Sequence, residues 1–214
     1  MNFSLAFTFA FKDADWIKKI GLVALVSLIP VIGQLLILGF ALEIMKRVIN
    51  NDPVTLPELD FGGFLGKGFQ ALIIGFVYGI PLFIIIIPTQ ILPFLVDTLD
   101  ADLFGYLTIG VSCLCGGLAF IYAIVMGLML PAAYGNFIKE GSLGAAFRIG
   151  EVFGLVKAAP VAFLIAIVGT WLANLIVPFG VILCVVGVWV TMALSMAIMG
   201  HFYGQAYNQA VQAK

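Results

Sequence analysis

An all-α polytopic membrane bundle, with interfacial amphipathic segments and a broken or re-entrant first hairpin, is the fold class this sequence predicts, on three observations. Hydrophobic residues make up 63% of the 214 and charged residues only 10%, against about 45–50% and about 25% in soluble domains. The mean hydropathy of +1.19 means more apolar surface than a water-soluble fold can hide. Finally, the charges cluster and leave uncharged stretches over 20–42, 68–96, 103–138 and 158–213. Each exceeds the about 20 residues that cross a bilayer at a rise of about 1.5 Å per residue. A charge in hydrocarbon costs several kcal/mol, so charge-free runs of this length mark membrane depth.

The chain reads as a single integral membrane domain, 1–214, with no hydrophilic stretch long enough for a separate soluble catalytic domain. A net charge of −1 without any long Lys/Arg run excludes nucleic acid as a partner, because phosphate binding needs clustered cations. Cys113, Cys115 and Cys184 all lie inside apolar runs, where a thiol serves as a small packing group rather than half of a disulfide. The first eleven residues carry no basic region and no small-x-small cleavage site, so the first segment is expected to stay in the mature protein.

Residues 1–19 read as an interfacial segment. Phe3, Phe7 and Phe11 suit a helix, Phe7, Phe9 and Phe11 an extended strand, and periodicity leaves both open. Lys12, Trp16, Lys18 and Lys19 suit the headgroup layer, with Asp13 or Asp15 as N-cap of the helix that follows. The run 20–48 would be about 43 Å as one helix, and Ile29-Pro30-Val31-Ile32-Gly33 interrupts it. Both its flanks are basic, Lys12, Lys18 and Lys19 before and Lys46, Arg47 and Lys67 after, whereas the loop 97–102 carries Asp97, Asp100 and Asp102 and no cation. An excess of Lys/Arg marks the cytoplasmic side. A re-entrant hairpin turning at 30–33, with both termini cytoplasmic and 97–102 outside, is therefore preferred over one tilted span.

The span 69–96 contains Pro81, Pro88 and Pro93, which predicts kinks and an irregular C-terminal end. The span 104–135 is longer than a perpendicular crossing needs. Its residues Cys115, Ala119, Ala123 and Gly127 recur every four positions, a small-residue stripe on which another helix packs closely. That stripe makes this span the expected centre of the bundle. Residues 143–156 alternate apolar and charged groups as a cytoplasmic amphipathic helix. The last apolar stretch breaks once, at Val177-Pro178-Phe179-Gly180, into spans over 158–177 and 181–203. Gly39 to Phe69 and Ala132 to Lys157 share an order of span end, basic residues, turn and Gly/Phe-rich segment, an echo of two related halves as in many transporters.

Several short motifs carry a resemblance: Lys12-Asp13-Ala14-Asp15-Trp16, Ile29-Pro30-Val31-Ile32-Gly33, Gly39-Phe40 ahead of Arg47, Leu56-Pro57-Glu58-Leu59-Asp60 with Phe64 and Gly68, Glu140-Gly141-Ser142 with Ala145-Ala146-Phe147, and Tyr203-Gly204-Gln205-Ala206-Tyr207. Together the chain resembles the prokaryotic multi-pass membrane proteins of domain-of-unknown-function family 4013. The resemblance implies a compact helical protein of the bacterial or archaeal cytoplasmic membrane, without an assigned activity or site.

Candidate sites are few. Histidine occurs once, as His201 at the end of the last span, an interfacial polar residue before it is a metal or pigment ligand. Cys113 and Cys115 have the wrong spacing for a zinc knuckle. Glu43, with Arg47 one turn on, forms either a local ion pair or an ion or proton site. Asp52, Glu58 and Asp60 read as a solvated loop. Ala162, Ala166, Thr170 and Asn174 lie four apart, so Asn174 should face a protein neighbour. No catalytic constellation and no cofactor are expected. The sequence predicts a non-enzymatic accessory, scaffold or assembly subunit, in contact with the lipid bilayer and with a membrane-protein partner or a second copy of itself. The alternative is a small transporter or channel-like carrier.

Overall fold

In hydrocarbon every backbone N–H and C=O must find its partner inside the segment, which favours helices for apolar runs of this length. The computed structural model describes residues 1–53, 55–96 and 101–214, and among them all regular structure is helical. The elements are α1 (Phe3–Thr8), a 3-10 turn (Ala10–Lys12), α2 (Trp16–Ser27), α3 (Ile32–Ile49), α4 (Phe61–Val96), α5 (Ala101–Glu140), α6 (Leu143–Ala146), α7 (Ile149–Ala158), α8 (Pro160–Asn174), a second 3-10 segment (Val177–Leu183) and α9 (Cys184–Gln212). Among the described residues, four helical stretches are long and apolar enough to cross a membrane: Phe61–Pro93, Thr108–Glu140, Pro160–Ile182 and Val186–Gln212. Residues 97–100 of the acidic loop lie outside the described residues.

The chain divides into two compact units. The first comprises residues 1–74 and 128–214, and α3 and α9 form its core. Ten of the 18 residues of α3 are buried, from Gly33 to Ile49, while α9 contributes Ala193, Ala197, Phe202, Ala206 and Ala210. Glycine permits this contact, because a Cβ on Gly200 would run into the Ala41 carbonyl and one on Gly204 would sit 2.6 Å from Val48 Cβ. The same device joins α3 to α4, with Gly39 against the backbone of Phe64 and Gly68 against that of Leu35. Close backbone approach over small residues is what holds helices together where the hydrophobic effect is absent.

Run 20–48 is broken where the sequence places the break. Residues 28–31 separate α2 from α3, and Val31 takes the left-handed conformation at φ 66°, an outlier for a β-branched residue. A Cβ on Gly33 would strike the Ser27 backbone, so only glycine lets the two helices turn this tightly. The turn satisfies its own backbone through Ile29 N–H to Val26 O at 3.1 Å and Gly33 N–H to Ile29 O at 2.8 Å. Asn208 Nδ2 donates to Val48 O at 2.8 Å, while Asn2 N–H donates to Gln205 Oε1 at 2.6 Å. Residues 2 and 48 therefore lie beside neighbouring turns of α9. Lys19, in the first turn of α2, reaches the carbonyl of Leu56 beyond the end of α3, so α2 and α3 form a hairpin that returns to its starting level. At 12 and 18 residues, its arms are about 18 and 27 Å long.

The second unit is residues 75–127, the end of α4 and the beginning of α5. Within it the Tyr122 hydroxyl donates to the Tyr78 carbonyl at 2.7 Å, and apolar side chains such as Phe83, Ile84, Leu114, Phe120 and Ile121 are exposed, as a lipid-facing surface requires.

Several expectations need correction. The α5 span is not the centre: none of its most apolar window is buried, and that role falls to α3 and α9, whose glycines let their backbones touch. The C-terminal end of α4 is not irregular, since helix continues through Pro81, Pro88 and Pro93 to Val96. Each proline removes one N–H, and leaving the helix there would orphan several more. The amphipathic segment 143–156 is two helices, α6 and α7, with a break at Phe147 and Arg148. The final span runs on to Gln212, because its polar last turns pack inside the first unit rather than entering solvent. The two echoing loops share a left-handed residue after the preceding helix, Asn51 at φ 57° and Gly141 at φ 67°, and then diverge into one long helix in the first case and three shorter ones in the second.

Candidate functional site at the polar end of the first unit

The polar side chains of the first unit gather where α3 ends and α4 begins. Glu43 on α3 is half-buried and pairs with Lys67 of α4, not with Arg47. Side chains on a helix lean toward its N-terminus, so Lys67 reaches back along α4 to the level of Glu43 once the glycine contacts have brought α3 and α4 together. Arg47 instead donates to Thr55 Oγ1 at 3.2 Å and Leu56 O at 3.4 Å, tying down the loop that follows α3. Lys19 donates to the same Leu56 carbonyl at 3.2 Å and to Asp13 Oδ2 at 2.9 Å. Asp60, expected as a solvated loop residue, caps α4 by accepting from Gly63 N–H at 2.9 Å.

Asp13 is 8% exposed and accepts the Asp15 N–H at 2.9 Å. It therefore shapes the entry into α2, whereas Asp15 occupies the N-cap position without a side-chain cap bond. Burial disfavours its charge, yet Lys19 and the Asp15 N–H together hold its carboxyl below the ordinary 3.8. At the other edge, Arg148 accompanies Glu140 and Glu151, the latter at 3.0 Å. These partners, Glu151 first, push the guanidinium pKa up and link the end of α5 to the start of α7.

His201 is only 1% exposed, in the interior rather than at the interface where it was expected. The N-terminal segment covers it, with the Phe9 ring centroid 4.7 Å from the imidazole. Gln205 Nε2 lies 2.8 Å from His201 Nδ1 and 3.1 Å from Asn2 O, while Gln205 Oε1 accepts from Asn2 N–H. That pattern fixes the amide orientation, makes Nδ1 an acceptor and leaves the proton of the neutral ring on Nε2. Among the described residues Nε2 meets no hydrogen-bond partner. A metal at Nε2 would need that proton moved to Nδ1, where Gln205 Nε2 already donates, so the geometry supports a structural imidazole. A cleft of about 380 Å³, lined by Asn2, Asp52, His201, Gln205 and Asn208 among others, opens beside it.

Asn174 Oδ1 accepts from the buried Ser195 hydroxyl at 3.0 Å, joining α8 to α9. Along the same stripe Ala162, Ala166 and Thr170 are buried, and Gly169 has no room for a Cβ beside Phe202. The stripe on α5 is different: Cys115, Ala119 and Gly127 are half-buried and Ala123 is exposed. Cys113 and Cys115 are free thiols, and the side chain of Cys184 lies outside the described residues. Among the described residues no group of three or more His, Cys, Asp or Glu could hold a metal ion. The sequence reading passed over Asn2 and Asn208 and gave Lys67 and Gln205 no site role, although Gln205 stands four residues after His201, on the same helix face.

No curated protein and no solved structure matches the chain. The family model described as Protein of unknown function (DUF4013) matches residues 22–186, which takes in the hairpin, both long helices and α8, and the chain belongs to that family.

Proposed function

We propose that the protein is a non-enzymatic accessory or assembly subunit of the cytoplasmic membrane, which packs through α5 against another membrane protein or a second copy of itself. A contrast between glycines supports this reading. In the first unit Gly39, Gly68, Gly200 and Gly204 are pressed against neighbouring helices, whereas on α5 Gly116 has nothing within 4 Å of an added Cβ. Gly116 falls on the helix face of Cys115, Ala119, Ala123 and Gly127. Small residues let helices approach, and the part of that face at Gly116 and Ala123, which is exposed, suits a partner helix.

The test compares Ala123→Leu with Leu128→Phe, off that face, in protein purified in mild detergent. Because Ala123 is exposed, the leucine should change the stability of the isolated chain by no more than about 0.5 kcal/mol while dissociating its complex, and Leu128→Phe should leave the complex intact. A complex indifferent to Ala123→Leu, together with ion-coupled flux in proteoliposomes that disappears with Glu43→Gln, would establish the carrier instead.

A further inference from the structure

A cleft of about 410 Å³ opens where the ends of α3 and α5 meet the beginning of α4, with Lys46, Lys67, Gln70, Lys139 and Glu140 in its walls. That volume falls within the range of small-molecule sites, about 300–1,000 Å³. Three helices each contribute one ammonium. Lys46 and Lys139 sit near the C-terminal ends of α3 and α5, where the helix dipole favours cations.

Of the acids nearby, Glu43 is engaged by Lys67, and Glu140 and Glu151 by Arg148, while Glu58 and Asp60 line a separate cleft on the other side of Lys46 and Lys67. Lys46 and Lys139 form no ion pair among the described residues. The cleft therefore holds an excess of positive charge, with a neutral amide, Gln70, to accept or donate a hydrogen bond. Phe137 and the half-buried Ile138 of α5 complete the lining of the cleft. Lys67 and Lys139 lie near the beginning and the end of two apolar stretches long enough to span, Phe61–Pro93 and Thr108–Glu140. The cleft thus lies at headgroup depth, with apolar side chains in its wall.

We propose that this cleft binds the phosphate-bearing headgroup of an anionic phospholipid, with Lys46 and Lys139 as the principal phosphate contacts, Lys67 and Gln70 completing the wall, and the first carbons of the acyl chains against Ile138. Basic pockets between membrane helices hold anionic headgroups in this way. A soluble phosphate would use the lysines but gain nothing from the apolar side chain of Ile138 beside them.

Native mass spectrometry of the full chain in neutral detergent tests the assignment, with phosphatidylglycerol, phosphatidylcholine of the same acyl chains, and inorganic phosphate as probes. Phosphatidylglycerol should be retained in preference to phosphatidylcholine. Its affinity should fall roughly fivefold with Lys46→Gln and again with Lys139→Gln, and the arginine variants should restore it. Lys139 is exposed, so its substitution reads binding without disturbing the fold. Lys12→Gln, an exposed lysine on another segment, should have no effect. Equal retention of the two lipids, indifference to both cleft lysines, an equal loss with Lys12→Gln, or inorganic phosphate alone binding as tightly as phosphatidylglycerol would each overturn the assignment.

Discussion

Asp13 shows how much a single carboxylate does at a membrane boundary. It sits in a motif that looks in sequence like a generic helix start, and in the fold it holds Lys19, which in turn reaches the carbonyl of Leu56. Removing the carboxylate therefore loosens both the entry to α2 and the loop after α3. Asp13→Ala should cost about 2 kcal/mol, the range for a hydrogen bond to a charged group, and clearly more than Asp15→Ala, as thermal melting in detergent would show. Because its folded pKa is lowered from 3.8, this contribution is present above that ordinary value and is lost as the pH falls through the depressed one. Wild type and Asp13→Ala should therefore converge in melting temperature under acid conditions. A constant gap down to pH about 2 would remove the ion pair from the account. His201 carries the complementary lesson: a lone histidine at the end of an apolar run reads as interfacial, yet Phe9 and Gln205 make it an interior residue.

Glycine separates the elements that this chain packs against itself from those it leaves open. On α3 and α4, Gly39 and Gly68 stand where any side chain would meet backbone, whereas Gly117 on α5 has open space around it. Gly39→Ala and Gly68→Ala should each destabilise the protein by about 2 kcal/mol through overpacking. Gly117→Ala should be neutral or stabilising by up to about 1 kcal/mol, since alanine is the better helix former. Melting of the three variants in the same detergent decides the matter, and equal losses would show that backbone contact between α3 and α4 is not what orders the first unit. The spacing of small residues was legible in the sequence on both α5 and α8. Which stripe the chain itself covers was not, because spacing gives a helix face and says nothing about what lies opposite.

For the whole molecule, the decisive contacts are those that join distant parts of the chain at one level of α9. Asn2 meets Gln205, and Val48 meets Asn208. Residues placed side by side in this way must share one side of a membrane, so cysteines introduced at positions 2 and 212 should label from the same face and one at position 100 from the other. From the excess of Lys/Arg in the flanks, that shared face is expected to be the cytoplasmic one. Labelling of position 2 from outside and 212 from inside would mean that the first run crosses once. Membrane residence, helical class and the breaks at 28–31 and 177–183 follow from the sequence alone, because the cost of charge in hydrocarbon and the geometry of proline and glycine are local quantities. The pairing of Glu43 with Lys67 instead of Arg47, and the burial of His201 beneath Phe9, were decided by tertiary structure. Each depends on which helix stands beside which, and in a chain this uniformly apolar the hydropathy pattern does not distinguish one neighbour from another.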